Sequence, residues 1–424
     1  MELPEGEPQV SGSRHAGPMA AEERLNGRAL LAQVTALSRS PALQNRWLQG
    51  AGVAAAVLVV YLLTDKGSNP FNQYALLADA FLKGRLYLVD PPSWLELARY
   101  GDKAYVIDPP APALLLMPFV AVWGTGINQV LVSVAVGAAA TGLFWVAARQ
   151  MGWSLPLAGA MTLLLALGTN FWWAATDGGL WTFAHVSAVF FMVAALVEAT
   201  GSKRPWLVGL LLGLAGLSRL PVFLTFPFFA HQVAGGALNR QSLIRLGIFG
   251  AALAVMGMAD LAYNYGRFGT LRDEGYYHPQ YAGEPWFSEG RFDLSYIPRH
   301  INAIFFLGPT FSDKFPYFKP SNQGLALFFT TPALLYAFAA PLRGRNVAAI
   351  VAVLLTAALL VTHGTTGWGQ FGYRFSLDVI PLLIVLTAAG MRHRLSGLKV
   401  AVILLSVGIS LWGTLSFNKL DWVI

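Results

Sequence analysis

The chain has 424 residues, of which 55% are hydrophobic and 12% charged, where ordinary soluble proteins carry roughly 25% charged residues. Lys and Arg outnumber Asp and Glu by 29 to 22, a formal net charge of +7, and cysteine is absent. A soluble domain, a disulfide framework and a thiolate metal site are thereby set aside. The positive excess sits mostly in short connections between apolar runs, where it orients helices, so no nucleic-acid partner is expected.

Residues 1–46 are polar and rich in Gly, Pro, Ser and Ala, with Arg14, Arg24, Arg28, Arg39 and Arg46. They read as a cytoplasmic, disordered tail. A cleaved signal peptide is not expected, because the first apolar run starts late and no clear small-residue cleavage site precedes it. From residue 47 to 424 the chain reads as one all-α polytopic membrane domain. Apolar segments of near-spanning length fall at 47–64, 127–148, 154–172, 184–200, 205–218, 220–234, 243–263, 324–341, 347–363, 376–390 and 398–414. That predicts about eleven spans.

Ala111–Gly124 is apolar too, but it is well short of the ~20 residues a span needs and holds Pro112 and Pro118. Charge decides its status. With the tail inside and this segment not crossing, Arg149, Lys203–Arg204, Asn239–Arg245, Arg343–Arg345 and Arg392–Lys399 all face the cytoplasm. Counting it as a span puts all of them outside, against the positive-inside rule. The segment is therefore expected to be an interfacial or re-entrant helix. The same parity puts the loops 65–126, 173–183, 264–323 and 364–375 on the outer face.

The first of these loops is organised by its acids: Asp65, Asp79, Asp90, Glu96, Asp102 and Asp108, with none following before residue 170. A helix is predicted over Asn72–Arg85, its apolar side carrying Tyr74, Leu77, Phe81 and Leu82, with Gly84 as terminator. Asn72, Asp79 and Lys83 share another side. Either that side is a solvated stripe on a surface helix, or Asp79 is a general base tuned by partial burial. Asp65, directly after the first span, is the rival base; its plainer reading is a polar residue marking the water boundary.

Arg219, Arg267 and Arg374 lie at apolar positions that map to the outer end. Charge near bilayer depth faces a cavity or a partner, and three guanidiniums together suit a phosphate through paired hydrogen bonds. The alternative for each is headgroup anchoring, or pairing with Asp378 or Asp260. His185 and Asp177 flank an outer loop, Trp172, Trp173 and Trp181 read as an interfacial belt, and Asp273–Glu274 offer two carboxylates to a divalent cation. Two acids specify no metal site, so no cofactor is assigned. No Walker loop, dinucleotide fingerprint, HExxH or DxD motif is present.

The acid-bearing first loop, the IDPPAPALLLMP stretch from Ile107, NYGRFG around Arg267 and GQFGYRFSLDVIP around Arg374 together resemble the GT-C superfamily of membrane glycosyltransferases. The protein mannosyltransferases and aminoarabinose transferases are the members most alike. The resemblance implies a GT-C-like bundle with interfacial helices in the first outer loop and an inverting transfer of a sugar from a polyprenyl-phosphate donor. The acceptor hydroxyl would belong to a glycan, lipid or protein at the outer face of a bacterial inner membrane. It implies donor phosphate binding by Arg219, Arg267 and Arg374, and substrate contacts from Asn72, Arg85, His185, Gln370 and Tyr373. The family's first-loop catalytic Asp often stands in an Asp-Glu pair. Asn69, Asn72 and Gln73 occupy that place here, so the base moves to Asp79 or Asp65. A transporter or flippase, or a non-catalytic binder of lipid-linked sugar, are the other readings. Two large loops on one face and no convincing internal repeat weigh against a transporter.

Overall fold

The computed structural model describes residues 44–236, 239–278 and 284–424. The expected tail therefore lies, up to residue 43, outside the described residues. Gly50–Ile424 form one unit, and the described residues before it, 44–49, include the start of the first helix.

All eleven apolar segments are helical. Among the described residues, five helices are long and apolar enough to cross a membrane: α1 (Arg46–Thr64), α4 (Gln129–Gln150), α7 (Leu180–Thr200), α10 (Arg240–Phe268) and α15 (Gly397–Asn418). A sixth crossing is made if α5 (Leu155–Leu167) and α6 (Phe171–Asp177), bent by 48° at their break, count as one span. Shorter helices include α8 (Pro205–Gly216), α9 (Phe226–Ala234) after a 3-10 turn at Leu220–Thr225, α11 (Ile297–Phe305), α13 (Arg345–Leu360) and α14 (Ile380–Gly390). The expected span 324–341 is a single turn, α12 (Leu327–Thr330), running into a 3-10 helix at Pro332–Ala339. Pro332 and Pro341 bound that segment, and proline lacks the N–H a continuous α-helix needs. The protein is thus a multi-pass helical membrane protein with fewer full-length crossings than eleven apolar runs imply.

The first outer loop is structured. Gln73–Leu82 form α2, Leu97–Tyr100 and Lys103–Val106 pair as an antiparallel β1–β2 hairpin, and Ala111–Trp123 form α3. Gly101, φ 62°, supplies the positive φ that the first central position of a two-residue hairpin turn demands. Tyr74 and Leu77 of α2, Leu97 and Val106 of the hairpin, Leu116 and Val120 of α3, and Leu180 and Phe183 of α7 build a small core of their own. The 13 residues of α3 reach only ~20 Å at ~1.5 Å per residue, short of a ~30 Å hydrocarbon core. Its first N–H, on Ala111, donates to Leu217 O after α8.

Residues 173–183, expected as loop, are mostly helix: α6 runs through Asp177, and α7 starts at Leu180. Gly178, at φ 60°, ends α6 in the left-handed region where a β-carbon would meet Val130 Cα at 2.6 Å. Trp172 and Trp173 are buried in the protein rather than facing lipid, and Trp172 Nε1 donates to Thr64 Oγ1 at 2.9 Å.

The connections segregate to two ends. At one, Gln150 accepts from Thr200 Oγ1, Arg245 donates to Lys203 O, and Trp153 meets His393. At the other, Lys66 pairs with Asp177, Asn418 donates to Thr64 O, His278 contacts Arg99 O, and Tyr276 contacts His363. With Gly364 N donating to Arg291 O, the second set reaches all four loops assigned to the outer face.

Candidate active site

The polar centre at that second end is built on Arg219 and Asp378. Arg219 sits between α8 and the 3-10 turn, in extended backbone (φ −150°, ψ 104°), where Pro221 follows. Its Nε and Nη2 donate to Asp378 Oδ1 and Oδ2 at 3.2 and 3.1 Å, a two-pronged pair. Asp378 closes the short 3-10 helix Arg374–Asp378, is fully buried, and also meets His185 Nδ1 at 2.8 Å. His185 Nε2 is buried without a partner among the described residues.

Arg374 opens the same 3-10 helix. One guanidinium nitrogen donates to Trp368 O at 3.1 Å, and the group lies 5.9 Å from the Trp181 ring and 5.6 Å from that of Phe375. Among the described residues it makes no ion pair, and its Nε is buried without a partner. Burial, then the neighbouring Arg219 charge, depresses its pKa to about 10; Asp108, Glu96 and Asp177 act the other way. A buried cation set beside another cation is a place where an added anion is stabilised.

Asp108 lies within electrostatic reach of both guanidiniums, which share the Phe375 ring. Burial raises its pKa, and Arg219 and Arg374 partly offset that rise. It makes no ion pair among the described residues. The chain brings it here because β2 delivers Val106 and Ile107 into the core, and the Pro109–Pro110 step that starts α3 fixes the turn.

Behind Arg374 runs a relay of rings. Tyr276 Oη meets His363 Nε2 at 2.5 Å, His300 Nε2 meets His363 O at 2.7 Å, and His300 Nδ1 meets Tyr373 Oη at 2.8 Å. Burial raises the Tyr276 hydroxyl far above its ordinary pKa, so it stays a neutral donor. Gln370 is buried, donates to Gln323 O and Thr366 O, and accepts from Arg374 N at 3.4 Å.

Of the residues singled out in the sequence, Arg219, Arg374, His185, Tyr373 and Gln370 therefore gather in one place. The others stand elsewhere. Arg267 donates to Val106 O and Asn264 Oδ1 and pairs with Asp273 at 3.3 Å, under the rings of Tyr263 and Phe268. It fastens the hairpin to α10. Asp79 pairs with Lys83 at 2.8 Å and Arg85 at 3.9 Å, on the half-exposed side of α2. Asp65 accepts from Gly67 N at 2.7 Å and lies 3.8 Å from Lys419. Asn72 precedes α2 without a side-chain capping bond. Asp273 and Glu274 are turned to Arg267 and Arg272, and no three His, Asp or Glu among the described residues are arranged to hold a metal.

Sequence reasoning missed Asp108 as a site residue, although its IDPPAP context was read. It also missed the Tyr276–His363–His300–Tyr373 relay, for which residue spacing carries no signal. Asn69 stands where a first-loop acid was sought, and its side-chain amide donates to Asp177 Oδ2 at 3.1 Å, so a carboxylate from the α6–α7 break reaches that place through space.

No protein-family model matches the chain, and no curated protein matches it in sequence. Among solved structures it is similar to ArnT from Cupriavidus metallidurans bound to undecaprenyl phosphate. The TM-score is 0.50 at 16% identity, covering 82% of this chain and 60% of that one. It is also similar to the apo oligosaccharyltransferase of Archaeoglobus fulgidus, with TM-score 0.46, 14% identity, and coverage of 87% and 56%. The chain spans about three fifths of the length of these neighbours. The chain thus shares the fold of ArnT, a helical membrane bundle like the one expected from the GT-C resemblance.

Proposed function

We propose that the protein transfers a sugar from a polyprenyl-phosphate carrier to an acceptor hydroxyl, at the outer face of a bacterial inner membrane, with its N-terminus in the cytoplasm. The observation that carries this reading is the meeting of Arg374, lacking an ion-pair partner among the described residues, with Arg219 and Asp108 at the membrane-boundary end of a GT-C-type bundle. ArnT, the neighbour in fold, was captured with a polyprenyl phosphate.

In this reading the donor phosphate lies against Arg374, with Arg219 held in register by Asp378 and His185. Asp108 takes the proton of the acceptor hydroxyl while that oxygen attacks the anomeric carbon. The carbon–oxygen bond to the phosphate breaks, the anomeric centre inverts, and the lipid phosphate leaves with its charge held by the guanidiniums. Preorganised cations of this kind stabilise charge that grows only in the transition state. We assign the base to Asp108 ahead of Asp79 and Asp65. Asp79 already faces Lys83 and Arg85, and Asp65 is engaged in its own turn.

Purified protein in nanodiscs, given radiolabelled polyprenyl-phosphate sugars, tests this. Asp108→Asn should lower turnover by about 10²-fold or more while lipid-phosphate binding persists. Arg374→Gln should weaken both, and Asp79→Asn should leave turnover within about twofold of the parent protein, as expected for a half-exposed ion pair. Full turnover in Asp108→Asn, or no turnover by the parent protein across a donor panel, overturns the proposal.

A further inference from the structure

The hairpin of the third outer loop presents large aromatic side chains that stay mostly exposed despite edge contacts with neighbouring rings. Thr310–Phe311 pair with Phe318–Lys319, and Ser312 N donates to Tyr317 O across the turn. Phe306, Phe311, Phe315 and Tyr317 are 73, 82, 71 and 62% exposed. On a water-facing loop, four large rings at such exposure form an apolar patch with no solvent rationale.

The level of the hairpin is fixed by the last long helix. The Phe318 ring lies 5.3 Å from that of Trp412, and Phe315 lies 5.2 Å from Trp422. Ile424 N donates to Pro320 O, and Asn322 N to Ile424 O. Helix α15 ends at Asn418, so Trp412 stands ~9 Å back from its end at ~1.5 Å per residue. A 22-residue helix of ~33 Å about matches the ~30 Å hydrocarbon core. Phe318 is therefore beside the membrane-spanning part of α15. The end of the first span meets the end of α15, where Asn418 Nδ2 donates to Thr64 O. Lys314 on the turn and Lys319 on the second strand add cations beside the rings.

We infer that the Phe306–Lys319 hairpin dips into the outer leaflet beside α15, its Phe rings among the upper acyl chains and its lysines at the phosphates. Rings and lysines at this depth have the chemistry of a bilayer interface, where aromatics sit at headgroup level and lysine reaches the phosphates. The occupant of the patch is thus phospholipid rather than an acceptor or a second chain. This inference does not depend on the transferase reading.

The absence of native cysteine makes the test direct. Phe311→Cys, Phe315→Cys and, as a water-facing control in the same loop, Glu289→Cys are each labelled with a nitroxide in the full chain. The proteins are then placed in phosphatidylcholine–phosphatidylglycerol nanodiscs. Collision with oxygen and with a water-soluble nickel chelate is read by spin resonance. The oxygen-to-nickel ratio should be several-fold higher at 311 and 315 than at 289. Nickel access at 311 and 315 equal to that at 289 would put the hairpin in water and overturn the inference. Shielding from both reagents would put it against protein and overturn it equally.

Discussion

Asp108 and Asp79 are both first-loop acids, and their surroundings differ. Lys83 and Arg85 pair with Asp79 on a partly exposed helix side, where solvent screens the interaction. Burial raises Asp108 while two guanidiniums pull back. An acid so placed ionises at a higher pH than the ~3.9 of an ordinary aspartate, nearer the range in which a base works well. Because only the ionised form accepts the proton, transfer should rise with pH through a midpoint above that ordinary value. The guanidinium of Arg374 favours ionisation, so in Arg374→Gln the residual rate should show its midpoint at still higher pH. A pH–rate profile in nanodiscs measures both. A midpoint at or below the ordinary aspartate value would remove Asp108 from the role.

The break between α6 and α7 matters most among the elements. It turns the chain at Gly178 and Gly179, delivers Asp177 to Lys66 and Asn69 of the first loop, and starts the helix that carries His185. The left-handed backbone at Gly178 costs a residue with a β-carbon roughly 1–2 kcal/mol, and the approach of Val130 Cα adds a clash. Gly84, at φ 67°, ends α2 in open space. Thermal unfolding in detergent should therefore show Gly178→Ala losing more stability than Gly84→Ala, which bears the backbone cost alone. Equal losses would mean that the α4–α6 contact yields freely. The short helix α3 carries the same lesson in reverse: its length and prolines set the expectation that it does not cross, and it is a 13-residue helix packed on α2.

For the whole molecule, segregation of connections to two ends is what makes a single polar centre feasible. Loops separated by up to 354 positions in sequence meet at the site end, as Thr64 and Asn418 do. With the basic connections placed inside, Ser202 should face the cytoplasm and Glu289 the opposite side. Single cysteines at these positions, probed in sealed inside-out and right-side-out vesicles with a membrane-impermeant maleimide, should label from opposite faces. Labelling of both from one face would refute the topology.

Sequence by itself determined the class of the protein, because apolar run length and the bias of Arg and Lys are one-dimensional signals that the bilayer reads directly. It gave a helix over Asn72–Arg85, found as Gln73–Leu82, and the shortness of α3 for the same reason: periodicity, proline and length are local. It also marked Arg219 and Arg374, since a guanidinium in an apolar setting stands out without any fold. Only the tertiary structure decided which charges meet. Arg267 and Arg374 look alike in sequence, yet one is fastened to Val106 O, Asn264 and Asp273 while the other has no ion-pair partner among the described residues. Electrostatic pairing depends on separation in space, and no residue spacing encodes the packing that sets Asp108 rather than Asp79 before the arginines.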